Sequence, residues 1–235
     1  MATISIVEYT PFSDHREFTV LFFGTPVKVT VTKTSSVVRS WLHTVFYRYR
    51  RFYHRSRLVV GLGVQWTPFS GPNSPADTLQ LCVGQRCLIF HLCNADTVPR
   101  KLRRFLLDPQ ITFVGFWNSM DARKLRDSWH DLQVHSLLDL RKHVKTDFGE
   151  SLAGASVEKI VKEFLGFDGV RLDREISMSY WNAYELTHKQ VLQACVDAHV
   201  AFLIGKNIRA WEIDEDDTGT DVFLVDTYSD VFLGF

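Results

Sequence analysis

The nine residues LVVGLGVQW, Leu58 to Trp66, decide how the rest of this 235-residue chain is organised. They form a short apolar run rich in valine, and the run closes on the polar Gln65 and on Trp66. Runs of this length and composition are typical of a central strand that is covered on both faces of a sheet. The stretch therefore predicts the middle of an α/β sheet, and the two ends of the chain are interpreted around it.

The segment before this strand predicts an N-terminal arm. Residues 17–23 and 27–32 are β-prone and flank a Gly-Thr-Pro turn, which favours a β-hairpin with one wet face. A helix is predicted over 37–53, after two serines that can cap it. Residues 1–15 show no such pattern, and we expect them to be poorly held.

Strands and helices alternate after the opening stretch. We predict strands at 78–83, 87–92 and 111–116, and helices at 99–107, 121–129, 137–144, 156–165 and 186–208. This order indicates an α/β fold, a mixed β-sheet flanked by helices on both faces with an extra N-terminal β-hairpin. We divide the chain into the hairpin and basic helix packed on the core (1–57), the core domain (58–209) and an acidic, aromatic C-terminal extension (210–235).

Composition is that of an ordinary soluble globular protein. Lys and Arg together number 27, as do Asp and Glu, so net charge does not indicate a polyanionic partner. The spacing of the four cysteines fits no zinc motif, and we expect buried, reduced thiols in a cytoplasmic or nuclear protein. The sequence shows neither a signal peptide nor an apolar run of membrane-spanning length, so no membrane partner is expected.

Local charge is concentrated at the end of the first predicted helix. Aromatic residues are interleaved there with arginines, a combination that can grip phosphates and stack on bases. We call this set the basic cluster: Arg48, Arg50, Arg51, Arg55 and Arg57. The alternative is a solvated helix end at which the helix dipole favours cations.

Three stretches together resemble the DEDDy 3'-5' exonucleases, and within them the Werner-type exonuclease proteins of plants. Residues 59–66 are similar to the first motif of that family, VVGLDxEW, and residues 79–90 to its LQLCVGxRCLIF. Residues 113–125 are similar to FVGVGxxxDxxKL, and 181–198 to WxxxxLxxxQxxYAxxDA. The resemblance implies a ribonuclease H-like fold for the core.

The resemblance also implies an active site that holds two Mg²⁺ or Mn²⁺ ions through carboxylates. The family's bridging Asp falls at Gly63, its neighbouring Glu at Gln65 and its water-orienting Tyr at Gln193. Only Asp121 and Asp197 remain. Each of these also has a structural interpretation, Asp121 as an acid in a first helical turn and Asp197 as a paired buried acid.

Loss of three of five groups that act as a unit predicts loss of the reaction. We expect no functional catalytic residue, no metal site and no cofactor, with Asp121 and Asp197 as a vestigial site. The leading hypothesis is an exonuclease-like, plant-type pseudoenzyme that binds nucleic acid or regulates another protein.

Two alternatives stay open. One is a homo-oligomeric or scaffold protein that pairs with itself or with an active paralogue through the hairpin and the C-terminal residues Asp226, Tyr228, Phe232 and Phe235. The other is a weak metal-dependent exonuclease in which Glu185 joins the two remaining aspartates.

Overall fold

The computed structural model describes residues 4–68, 74–146 and 148–213. Eight strands are present in the described residues: β1 (Ile4–Pro11), β2 (His15–Phe22), β3 (Thr25–Thr32), β4 (Leu58–Gln65), β5 (Thr78–Val83), β6 (Arg86–Phe90), β7 (Ile111–Gly115) and β8 (Leu137–Asp139). The helices are α1 (Ser35–Tyr53), α2 (Arg100–Leu106), α3 (Asn118–Arg126), α4 (Val157–Leu165), α5 (Arg174–Ser177) and α6 (His188–Asn207). The predicted C-terminal extension lies outside the described residues beyond residue 213.

All eight strands form one sheet in the order β1-β2-β3-β6-β5-β4-β7-β8. The predicted hairpin is present as β2 and β3, which pair antiparallel, and β3 pairs parallel with β6 of the core. The opening stretch is β4, placed between β5 and β7 and buried at seven of its eight residues, which confirms it as a central strand.

Helices cover both faces of the sheet. Helix α6 crosses one face along β4, and the backbone around Ala198 lies directly against Gly61. On the other face Phe46 of α1 and Phe105 of α2 make edge-to-face ring contacts that continue to Phe113 of β7. No helix among the described residues is long and apolar enough to cross a membrane.

The expectations for residues 1–15 and 137–144 were wrong. Residues 4–11 form β1, which pairs antiparallel with β2 at the sheet edge. The predicted helix at 137–144 is the short strand β8 followed by a 3-10 turn, and β8 pairs parallel with β7. Its leucines are spaced as in a helix, but hydrogen bonds to a strand distant in sequence decide the conformation.

Buried thiols were also expected. Cys82, Cys87 and Cys195 are buried and free, whereas Cys93 is exposed in the turn that follows β6.

Gly61 is where α6 approaches the sheet most closely. A Cβ atom at this position would overlap the carbonyl oxygen of Ala198 and lie 2.7 Å from the backbone nitrogen of Phe202. These are backbone atoms of a buried helix and cannot move away cheaply. The glycine of β4 that permits close backbone approach is therefore Gly61.

We expect Gly61→Ala to lower the free energy of unfolding by about 1–3 kcal/mol, the usual cost of overpacking a core. Gly154→Ala is the matched control, because a Cβ atom there would meet nothing within 4 Å. Urea denaturation of both variants measures the difference, and equal midpoints would show that the helix can shift to accept the methyl group.

Candidate active site

The carboxyl ends of the parallel strands bring the family positions together. Strands β4, β7 and β8 run in the same direction, so Gln65, the loop after β7 and Asp139 lie at one edge of the sheet. In open α/β sheets this edge is where ligands bind. The site is assembled here from β4, the start of α3 and the middle of α6.

Gly63 and Gln65 face α6, as their neighbours along that helix show. The Cβ position of Gly63 lies 3.6 Å from Oδ2 of Asp197 and 2.9 Å from Oε1 of Gln80. Nε2 of Gln65 donates a long hydrogen bond of 3.5 Å to the same Asp197 oxygen. A neutral amide thus contacts the carboxylate where the family places a second acid.

Asp121 lies in the first turn of α3, where the sequence suggested, and it is buried. Burial is the largest cause that raises its pKa well above the ordinary value, and the negative charges of Asp197 and Asp139 add to it. The negative charge of Asp197 therefore reaches Asp121, so the two retained aspartates lie near each other at this edge of the sheet.

Asp197 is partly buried between α6 and β4. Burial and, to a lesser extent, the carboxylate of Glu158 on α4 together raise its pKa to about 6. Asp139, the acid at the end of β8, is paired with Arg141 at 2.6 Å, and that guanidinium lies over the Trp117 ring. The remaining acids of the site have no such cation beside them in the contacts described.

Trp117 stands where the family motif has glycine, directly before α3. Its backbone is left-handed, with φ 53° and ψ 39°. Glycine reaches this conformation without strain, whereas a bulky residue adopts it only where its surroundings hold it. The Arg141 guanidinium lies over the Trp117 ring, and this contact helps to hold the left-handed backbone.

Gln193 takes part in a structural network. Its Oε1 accepts from the backbone nitrogen of Asp173 at 2.8 Å, and its Nε2 donates to Asp173 O at 3.2 Å and to Ser177 Oγ at 2.6 Å. The amide therefore ties α5 to α6. A tyrosine ring could not make these three bonds.

The side chains at this edge are not the ligands that a pair of hard divalent cations requires. Such ions take several oxygen ligands, mostly carboxylates, in near-octahedral geometry. In the part of the chain that the structure describes, no three His, Cys, Asp or Glu side chains are grouped so that they could hold a metal ion. The residues present do not fit the two-metal arrangement implied by the resemblance.

The basic cluster does not belong to this edge. Helix α1 begins next to the end of β3 and finishes before the start of β4, so Arg57 is separated from Gly63 by most of that strand. At about 3.3 Å per residue the separation is roughly 20 Å. The five arginines are exposed on the opposite side of the sheet.

Glu185 does not join the two aspartates either. Its side chain is exposed and lies 3.7 Å from a guanidinium nitrogen of Arg16 on β2. The acids that do surround the site, Asp139 and Glu158, were missed in the sequence. Asp139 would have been found had residues 137–139 been interpreted as a strand parallel to β7, because its carboxylate ends that strand.

Comparison with known proteins agrees with this geometry. The family described as 3'-5' exonuclease matches residues 73–210, more than half of the chain. Human exonuclease 3'-5' domain-containing protein 2 is 29% identical over 169 residues, which are 68% of this chain and 27% of that protein. A 3'-5' exonuclease of Arabidopsis thaliana is 27% identical over 160 residues, 64% of this chain and 52% of the relative.

These matches span about half or less of the relatives' own length. Among solved structures, the EXO domain of Aedes aegypti Nibbler superposes with a TM-score of 0.60 at 16% identity, covering 80% of this chain and 91% of that chain. Likeness at this identity shows the fold and confirms the predicted ribonuclease H-like α/β sheet. With more than half of its length matched by the family model, this chain belongs to the 3'-5' exonuclease family.

Proposed function

We propose that this domain is an exonuclease-like pseudoenzyme that binds nucleic acid without hydrolysing it. The observation that carries the proposal is the loss of both carboxylates from β4. Gly63 has no side chain, and the Gln65 amide donates to the Asp197 carboxylate. Two aspartates with raised pKa values, the buried Asp121 and the partly buried Asp197, stand where the family has a full set of ionised ligands. Kinship with the Werner-type proteins of plants is part of the same proposal.

The structural role of Gln193 supports the proposal independently. Its three hydrogen bonds to Asp173 and Ser177 stabilise the start of α6, so the position now serves packing. Groups that act as a unit in catalysis are not partly effective when most of them are absent. Binding of nucleic acid needs none of these carboxylates, and their loss removes charge that repels phosphate.

We expect the purified protein not to trim a recessed 3' end with Mg²⁺ or Mn²⁺, and to bind an oligonucleotide in a salt-dependent way. If the five arginines of the basic cluster each neutralise one phosphate of a single strand, log K falls by about 3.5 per decade of salt, or roughly 100-fold between 50 and 200 mM. Gel-based trimming and fluorescence anisotropy measure the two properties. Trimming that disappears in Asp197→Ala would contradict the proposal.

A second candidate is homo-oligomerisation or pairing with an active paralogue. The observation in its favour is β1, an edge strand that exposes Val7, Tyr9 and, just beyond its end, Phe12. Edge strands offer unpaired backbone groups to another chain. The irregular register between Ile6 and Glu8 makes β1 less suited to pairing with a further strand. Light scattering distinguishes a monomer from a dimer.

A further inference from the structure

The loop between α5 and α6 presents two tyrosines to solvent. Tyr180 is 66% exposed and Tyr184 is 72% exposed, whereas Trp181 and Leu186 of the same loop are buried. Large aromatic side chains at this exposure contribute nothing to the core. Exposed aromatics on a connection positioned by a rigid scaffold are a frequent feature of binding surfaces.

The loop is held firmly by its buried residues. The indole nitrogen of Trp181 donates to Ser177 O at 3.0 Å, and the Trp181 carbonyl oxygen lies 3.0 Å from Nε2 of His91. The backbone nitrogen of Asn182 donates to Oγ1 of Thr67, and this hydroxyl in turn donates to the buried Asp77 carboxylate. The two tyrosines are therefore presented by a preordered backbone, which lowers the entropic cost of binding.

These anchors place the loop at the edge of the sheet that carries the vestigial site. Thr67 follows Gln65 by two residues, and His91 directly follows β6. Strand β3 runs parallel to β6, so Lys33 at its end reaches the same edge. The basic cluster lies at the other end of these strands.

Charge near the tyrosines favours an anionic partner. Nζ of Lys33 lies 3.6 Å from the centre of the Tyr184 ring, and no ion pair of Lys33 is found among the described residues. Glu185 is the nearby acid, and Arg16 faces it at 3.7 Å while donating to the Leu186 carbonyl oxygen. Lys33, beside the Tyr184 ring, is thus the cation that remains to contact a phosphate.

We propose that this loop is a stacking platform for single-stranded nucleic acid, with Tyr180 and Tyr184 stacking on unpaired bases and Lys33 contacting the backbone. The inference rests on the proposed function; it specifies the ligand as a single strand and adds a second contact surface at the opposite end of the strands from the basic cluster. Stacking on exposed rings requires bases that are free of a duplex, because paired bases hide their faces. The sequence alone did not single out these tyrosines.

The test is anisotropy of a labelled single-stranded 20-mer with Tyr180→Ala, Tyr184→Ala and the double variant. Trp129→Ala is the matched control, because Trp129 is an aromatic side chain that is 91% exposed and lies in neither this loop nor the basic cluster. We expect each loop variant to weaken binding about tenfold, within the usual range for one stacked base, with an unchanged salt dependence. Tyr184→Phe should retain affinity, and Lys33→Gln should lower the salt slope by about 0.7.

The outcomes separate this inference from the proposed function. Wild-type protein that binds no oligonucleotide at low salt contradicts both. Wild-type binding that survives loss of both loop tyrosines, or that is weakened equally in Trp129→Ala, overturns the stacking platform and leaves nucleic-acid binding in place. Equal affinity for a blunt duplex of the same length also overturns it.

Discussion

The variant Gly63→Asp/Gln65→Glu/Gln193→Tyr is expected to trim recessed 3' ends at least about 10³-fold faster than the wild-type chain, because it restores groups that act together. Asp121 and Asp197 are already in place. The Cβ atom of a residue at position 63 would lie 2.9 Å from Oε1 at the end of the buried Gln80 side chain, whose Nε2 donates to Thr78 Oγ1, so that amide must shift slightly. Trimming of a labelled recessed duplex with Mn²⁺ measures the gain.

Controls for this variant follow from the hydrogen bonds of Gln193. Gly63→Asp/Gln65→Glu, which leaves the α5–α6 network intact, should unfold at lower temperature than wild type without Mn²⁺ and regain stability with it. Two added carboxylates beside Asp197 repel one another unless a cation is bound. A folded triple variant that neither trims nor gains stability from Mn²⁺ would show that the cleft has changed beyond its ligands.

The second large effect expected is a gain in stability from Asp197→Asn. In the folded chain burial raises the pKa of Asp197 to about 6 from an ordinary 3.8, so the unfolded chain ionises first as pH rises. Stability is therefore lost between about pH 4 and pH 6 and stays lower above that range. At pH 8 the loss is about 2–3 kcal/mol, and the Asn side chain avoids it.

We expect Asp197→Asn to raise the melting temperature by several degrees at pH 8 and to leave it unchanged near pH 3.5. Asp121→Asn should act in the same direction, since burial also raises the pKa of Asp121. Asp168→Asn on the surface is the control, because its exposed pairing with Lys162 contributes little. A melting temperature of the wild-type chain that rises with Mn²⁺ would instead show that the two aspartates still hold a cation.

Local patterns were sufficient for much of this structure. A continuous apolar run identified β4, and helical periodicity identified α1, α4 and α6. Burial of one or both faces of an element requires apolar residues at regular positions along its sequence. The resemblance to the DEDDy exonucleases, not a local pattern, implied that Asp121 and Asp197 share a site. In the structure the negative charge of Asp197 contributes to the raised pKa of Asp121.

Contacts between segments that are distant in sequence could not be predicted from these patterns. Strand β8 is three residues long, too short to show a period of two, and it exists because β7 offers it a partner. The direction of α1 across the sheet separates the basic cluster from the site, although the arginines immediately precede β4 in sequence. Both facts depend on the path of the chain in three dimensions.

The same division applies within the opening stretch. By itself the sequence determined, from residue type and order, that the opening stretch contains a central strand, which the structure gives as Leu58–Gln65. The resemblance of that stretch to the exonuclease motif implied that Gly63 and Gln65 stand where the family has carboxylates. Only the tertiary structure decided that Gly61 admits α6, that Gln65 contacts Asp197, and that the loop with the exposed Tyr180 and Tyr184 is anchored at the same edge of the sheet. Each of these depends on how a helix or loop far along the chain packs against the sheet, and packing is a property of the whole fold.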